Sequence, residues 1–211
     1  MKRLIRWLRG RRPPVDERSL ELLRHGHFVA IDLETTGLDA RRDAAVSVAA
    51  VPFRRGAPAS GFEALLNPGR AIPADSTRIH GITDTMVSAA PRLDEVLDEL
   101  DALWGDQVLV GHGVAFDLAV IDRARRARRR PPLGNSALCT MRLAVALHPG
   151  WSDVTLESIA SRVGVPVMGR HTARGDAVIA GAVMVELVPQ LTRRGHRSVG
   201  DALWLQGRVL L

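Results

Sequence analysis

Two carboxylates one residue apart, Asp32 and Glu34, close the run His27-Phe28-Val29-Ala30-Ile31-Asp32-Leu33-Glu34-Thr35-Thr36-Gly37. Phe28 to Ile31 is apolar and reads as a buried strand. Residues i and i+2 of a strand point to the same side, so both acids aim one way. Like charges held together at the end of a buried strand repel unless something positive lies between them. Hard divalent cations take carboxylate oxygens, so the spacing suggests a magnesium or manganese site. The plainer alternative is a strand that runs into a polar turn with two solvated acids. A third acid, Asp117, lies in Val108-Leu109-Val110-Gly111-His112-Gly113-Val114-Ala115-Phe116-Asp117-Leu118-Ala119-Val120-Ile121. There a short apolar strand leads through a Gly-rich turn into a helix with Asp117 in its first turn. The helix dipole favours an ionised carboxylate at that place, which suits a ligand and equally suits ordinary capping. His171 and Asp176 lie five apart in His171-Thr172-Ala173-Arg174-Gly175-Asp176-Ala177, where an apolar-rich segment running to about Val188 begins. With a helix starting near Ala173, His171 falls on the lead-in loop and Asp176 on the first turns, and both can reach one cleft. Taken alone, a loop histidine is as well explained as a surface residue.

These side chains need elements to hold them. Helix is expected over 16–24, then strands at about 27–33, 44–53 and 61–66 as an antiparallel meander with short turns. Short helices follow at about 75–79 and 83–88, and 93–104 has acids on one face and leucines on the other. Strand 107–111, helix 114–128, strand 136–139 and helices 140–147, 155–162 and 172–189 complete the domain. A run of strands followed by strand–helix alternation implies a mixed α/β sheet covered by helices.

Together the three acidic stretches resemble the 3′–5′ exonuclease family of the epsilon proofreading subunit of bacterial DNA polymerase III, ribonuclease T and their relatives. That family carries Asp-x-Glu in its first motif, an Asp in its second and His-x4-Asp in its third. Here they fall on Asp32 and Glu34, on Asp117, and on His171 and Asp176. Ile79-His80-Gly81-Ile82-Thr83, Cys139-Thr140-Met141-Arg142-Leu143-Ala144 and Thr155-Leu156-Glu157-Ser158-Ile159-Ala160-Ser161-Arg162-Val163-Gly164-Val165 resemble three connecting segments of the same family. The resemblance covers about residues 25–190 and departs at Gly113, where many members carry Asn. It implies a ribonuclease-H-like fold with five strands, the second antiparallel. It further implies hydrolysis assisted by two Mg²⁺ or Mn²⁺ ions. Asp32 would bridge both, Glu34 and Asp176 would hold the ion that presents the water, and Asp117 would act on the other. His171 would be the general base, a role its ordinary pKa near ~6.5 favours. The backbone at Thr35 and Thr36 would meet the terminal nucleotide. His80 and Phe116 would touch its sugar or base, although core packing explains Phe116 equally well. The expected substrates are single-stranded 3′ ends, DNA more than RNA, in proofreading or repair. The competing class is a nucleic-acid-binding or polymerase-accessory module that has lost catalysis.

The composition fits that reading. The chain has 211 residues, 46% of them hydrophobic, which suits one compact domain. One cysteine, Cys139, excludes a disulfide framework and points to a cytoplasmic setting. Aromatics are 4% and Tyr is absent, so extended base-stacking platforms are not expected. A net charge of +6 fits a polyanionic partner. Six arginines cluster in 123–130, as a nucleic-acid contact or as a solvated helix end. Residues 1–12 carry Lys2, Arg3, Arg6, Arg9, Arg11 and Arg12 around an apolar stripe of Met1, Leu4, Ile5 and Leu8. That arm and its Pro13-Pro14 linker, residues 1–14, would precede an exonuclease domain at 15–192 and a tail at 193–211 that covers the domain or a partner. The arm has no signal-peptide apolar core, and no transmembrane segment is expected. It would dock on a protein, lie on an anionic membrane surface, or pack on its own domain.

Overall fold

The computed structural model describes residues 16–209. The basic arm, the Pro-Pro linker and the last two residues lie outside the described residues.

Strand β1 (Phe28–Thr35) is the centre of the sheet because both of its edges are taken. Strand β2 (Ala45–Arg54) pairs with it antiparallel along its length, from Phe28 opposite Phe53 to Thr35 opposite Ala45, with a bulge between Glu34 and Thr35. Strand β5 (Val108–Gly111) pairs with it in parallel, but only over Phe28 to Ala30. The far end of β1 is therefore left open on one side. A short hairpin strand β3 (Ala57–Pro58) and strand β4 (Phe62–Leu65) both pair with β2, and β6 (Ala137–Cys139) extends the sheet beyond β5. The sheet has six strands rather than the expected five. The extra one is the two-residue return of a tight turn, too short to leave a periodic signal.

Alternation along β1 divides the core. Phe28 and Ala30 join one apolar cluster, and Val29, Ile31 and Leu33 join the other. The first cluster lies under a helix at Ala173–Arg193, which crosses β1 and β2. Gly181 makes that approach possible, since a Cβ there would lie 2.2 Å from the Phe53 ring. The second cluster lies under helices at Leu97–Trp104 and Ala115–Ala127. Among the described residues, Ala173–Arg193 alone is long and apolar enough to cross a membrane, and 56% of its apolar window is buried inside the domain.

In chain order the helices are α1 (Leu20–Arg24), α2 (Ala74–His80), α3 (Asp84–Val87), α4 (Leu97–Trp104), α5 (Ala115–Ala127), α6 (Thr140–Leu147), α7 (Leu156–Arg162), α8 (Ala173–Arg193) and α9 (Val199–Gln206). The expected helix 93–104 splits into a 3-10 turn at Leu93–Glu95 and α4. Helix α8 passes Pro189, where the sequence pattern ends it. Leu187, Val188 and Leu191 are fully buried against the core, and that burial outweighs one lost backbone bond.

The arginine run is used inside the fold. Arg125 pairs with Asp101, Arg128 with Asp94 at 2.7 Å, and Arg130 with Asp98 at 2.8 Å and Asp101 at 3.1 Å. Arg123 donates to the Ala40 and Asp43 carbonyls and ties the β1–β2 connection to α5. The acidic face of α4 is the partner of much of this run, a pairing set by helix packing and invisible along the sequence.

Candidate active site

Strand β1 presents both of its acids to one side. The alternation that turns Ile31 and Leu33 toward α5 turns Asp32 and Glu34 to the face covered by α8. Helix α8 starts at that point. Its N-cap Thr172 accepts from the Gly175 N–H at 3.0 Å, and Asp176 stands in the first turn. Gly175 admits the loop: a Cβ there would lie 1.8 Å from the Gly169 carbonyl oxygen. As a result, one oxygen each of Asp32, Glu34 and Asp176 lie within 4.8 Å of one another. Asp117 arrives from the other side. Strand β5 ends at Gly111, Gly113 turns with φ +74°, and α5 carries Asp117 to the strand end, where the Leu33 N–H donates to its Oδ1 at 3.1 Å.

This arrangement is costly for negative charge. Burial holds the Asp32 carboxyl well above the usual carboxylate range, reinforced by Asp117, Asp176 and Glu34 and opposed by Arg170. Burial, then Asp176, pushes Glu34 up to about 7, with Arg170 again opposing. Burial pushes Asp117 up to about 8, against the N–H groups of its own residue and of Leu33. Asp117 and Asp176 are only 4% and 8% exposed. Asp176 Oδ1 is buried without a hydrogen-bond partner. Three hard oxygen donors at this spacing, an orphaned carboxylate oxygen and carboxyls driven toward neutrality are what a divalent cation such as Mg²⁺ or Mn²⁺ would relieve. The donor set fits such an ion.

The other expected residues fall around this cluster. His171 sits on the exposed loop before α8 with φ +61°, and is not among the residues that line the carboxylate cleft. Thr35 and Thr36 are buried with their hydroxyls engaged, Thr35 Oγ1 donating to the Gly37 carbonyl at 2.7 Å and Thr36 Oγ1 to Asp43 at 3.2 Å. His80 Nδ1 accepts from the Ile82 N–H at 3.0 Å, so its proton resides on Nε2, which is buried and unpartnered. Phe116 is half-buried against the apolar cluster under α5.

Three cleft residues escape the sequence reading: His112, Glu157 and Arg170. Burial, then Arg170, holds His112 down at about 4, and its Nδ1 lies 3.1 Å from Thr140 Oγ1. Glu157 Oε1 accepts from Arg170 Nε at 2.7 Å, and Arg170 also pairs with Asp176 Oδ2. His112 and Glu157 belong to segments that carry the family resemblance, and Arg170 directly precedes one. Their types alone signal turn, helix start and loop, so only convergence in space marks them.

A mixed sheet that gathers four carboxylates at the open end of its central strand defines a metal-dependent nuclease of ribonuclease-H-like architecture. Residues 29–184 match the RNase T family model, described as Exonuclease, and the chain belongs to that family of phosphodiester hydrolases. The DNA polymerase III subunit epsilon of Aquifex aeolicus is 34% identical over 166 residues, 79% of this chain and 82% of that protein. The epsilon subunit of Treponema pallidum is 30% identical over 180 residues, 84% of each. By contrast, the chain spans only 12% of the PolC-type DNA polymerase III of Latilactobacillus sakei. Exonuclease X, solved with 5′-overhanging duplex DNA, superposes with a TM-score of 0.66 at 26% identity, covering 84% of this chain and 99% of that one. Escherichia coli exonuclease I, solved with a dT13 oligonucleotide, shares the fold with a TM-score of 0.68 at 18% identity, over 79% of this chain and 42% of that one.

Proposed function

We propose that this chain removes nucleotides one at a time from the 3′ ends of single-stranded DNA, using two divalent cations, Mg²⁺ or Mn²⁺. The observation that carries this reading is the convergence of Asp32, Glu34 and Asp176 within 4.8 Å, with Asp117 bonded to the Leu33 N–H beside them. DNA is favoured over RNA by the epsilon relatives and by the DNA-bound exonuclease X. The same relatives support a proofreading or repair role beside a polymerase.

Asp32 is the carboxylate on which the charges of Asp117, Asp176 and Glu34 all act, which suits a ligand common to both ions. Bound there, the ions would supply an activated water and charge relief on the phosphate and the leaving oxygen. His171 takes the proton of the attacking water on an imidazole nitrogen once its loop turns toward the cleft. His80 offers its unpartnered Nε2 proton to the sugar of the terminal nucleotide. The Thr35 and Thr36 main chain borders that nucleotide, because both hydroxyls are already engaged. Phe116 supplies an apolar edge for the base. Backbone and apolar contacts carry little base information, so sequence preference is weak.

The test uses end-labelled single-stranded DNA and RNA of matched sequence with Mg²⁺ or Mn²⁺. The expected result is stepwise loss from the 3′ end of DNA, stopped by EDTA and by Asp32→Asn with the fold intact by circular dichroism. Undiminished activity of Asp32→Asn, or in excess EDTA, sinks the metal reading. Faster loss from RNA reverses the substrate assignment.

A further inference from the structure

Arg170 already places a positive charge in the carboxylate cleft. Its Nε donates to Glu157 Oε1 at 2.7 Å, a second nitrogen pairs with Asp176 Oδ2, and its side chain is 20% exposed. The loop around it is sharply kinked. Gly169 and His171, the residues on either side, both adopt left-handed backbone, at φ +69° and +61°. For a histidine that conformation is strained and persists only where its surroundings hold it. The ion pairs of Arg170 brace this loop together with the Thr172 hydroxyl, which donates to the Gly169 carbonyl at 2.7 Å. They draw Arg170 inward, while its neighbour His171 stays exposed.

We infer that Arg170 is an internal counter-cation, a latch that bridges Asp176 and Glu157 and has to release Asp176 before a divalent cation can bind there. The inference rests on the proposed metal site. One carboxylate oxygen cannot face a guanidinium and a divalent cation at the same point, so the two cations compete for Asp176 Oδ2. The latch is incomplete, because Asp176 Oδ1 remains without a partner. Glu157 keeps hold of Nε after release, and the guanidinium then stays at the rim of the cleft, placed for a phosphate oxygen of the substrate. Release also lifts the constraint on the kink that keeps His171 outside.

The experiment is a Mn²⁺ titration of the full chain, with free Mn²⁺ read by electron paramagnetic resonance, on wild type, Arg170→Ala and Arg170→Lys. Asp176→Asn reports whether the measured sites are those of the cleft. A latch closed in nine of ten molecules raises the apparent Kd about tenfold, so Arg170→Ala is expected to tighten Mn²⁺ binding by roughly that factor. Lysine keeps the charge but offers one ammonium nitrogen in place of the two guanidinium nitrogens that hold Glu157 and Asp176, so Arg170→Lys is expected to tighten binding by a part of it. The melting temperature of Arg170→Ala should fall below wild type in EDTA and rejoin it in saturating Mn²⁺. Equal Kd values for all three proteins overturn the latch, and so does Arg170→Lys binding like wild type while Arg170→Ala binds tighter, which is a plain field effect. If Arg170→Ala does not fold, Arg170→Lys decides alone. If no protein binds Mn²⁺, or Asp176→Asn binds it as well as wild type, the metal-site reading itself fails and the latch with it.

Discussion

Burial and mutual repulsion act on the same side chains at the carboxylate cleft, and their joint effect has a sign that pH can read. Glu34, raised from 4.5 to about 7, and Asp117, raised from 3.8 to about 8, hold their protons more tightly folded than unfolded. A group with a raised folded pKa contributes stability at low pH that is lost as pH climbs through the folded value. His112, lowered from 6.5 to about 4, has the opposite slope below its unfolded value, so the carboxylates act alone above it. The melting temperature of the metal-free protein should therefore fall from about pH 6.5 to pH 8. Saturating Mg²⁺ should flatten that fall, and Asp117→Asn should remove much of it. A melting temperature in EDTA that rises over this range would contradict the raised carboxyls. The proposed base is tested separately: His171→Ala should lower kcat by roughly 10²-fold or more while Mn²⁺ affinity changes little. Lost metal binding, with kcat at saturating metal intact, would make His171 a ligand.

Among the elements, the edge of the sheet has a device of its own. Strand β6 lies at the end of the strand order, and α9 covers it. The Gln206 side chain, 8% exposed, extends the ladder: its Oε1 accepts from the Cys139 N–H at 2.8 Å and its Nε2 donates to the Ala137 carbonyl at 2.8 Å. Gln206→Ala leaves two main-chain groups at the covered edge without those partners. The expected cost is about 1–3 kcal/mol, read as a lower urea midpoint with unchanged slope. A variant with an unshifted midpoint would show that water satisfies the edge. Arg128→Ala removes a half-exposed ion pair with Asp94 and should cost less than about 1 kcal/mol. Helix α8 has the double task of covering β1 and placing Asp176, which is why a long buried helix begins at the active site.

For the whole molecule, the surplus charge is unevenly used. Arg123, Arg125, Arg128 and Arg130 are spent on carbonyls and carboxylates within the fold. The six cations of residues 1–12 lie outside the exonuclease match, which begins at residue 29. As a proposal, this arm tethers the enzyme to nucleic acid and is dispensable for chemistry. Deleting residues 1–12 should leave turnover on a short oligonucleotide nearly unchanged and weaken binding to long single strands. If every cation meets a phosphate, the slope of log K against log salt should fall by about 4. Unfolding of the truncated chain, or lost turnover on short substrates, would make the arm part of the domain.

The sequence by itself determined which carboxylates stand at a strand end and in first helical turns, and the order of the elements that carry them. Asp32 and Glu34 share a face because a strand has a period of two, and Asp117 and Asp176 stand in first turns because strand-to-helix and loop-to-helix signals flank them. Those are local facts, and local residues carry them. Tertiary structure decided what depends on approach. Asp117 reaches the Leu33 N–H because β5 leaves β1 after three paired residues, a register that no run of residues states. The same holds for α8 continuing through Pro189, the arginine run folding onto α4, and the His112–Glu157–Arg170 side of the cleft. Burial and long-range pairing set each of these, over separations at which a sequence pattern carries no distance. The kinked loop puts Arg170 inside the cleft and leaves His171 exposed, although the two are neighbours in the chain. Adjacent residues of a loop have no fixed relation of side until the surrounding charges choose one.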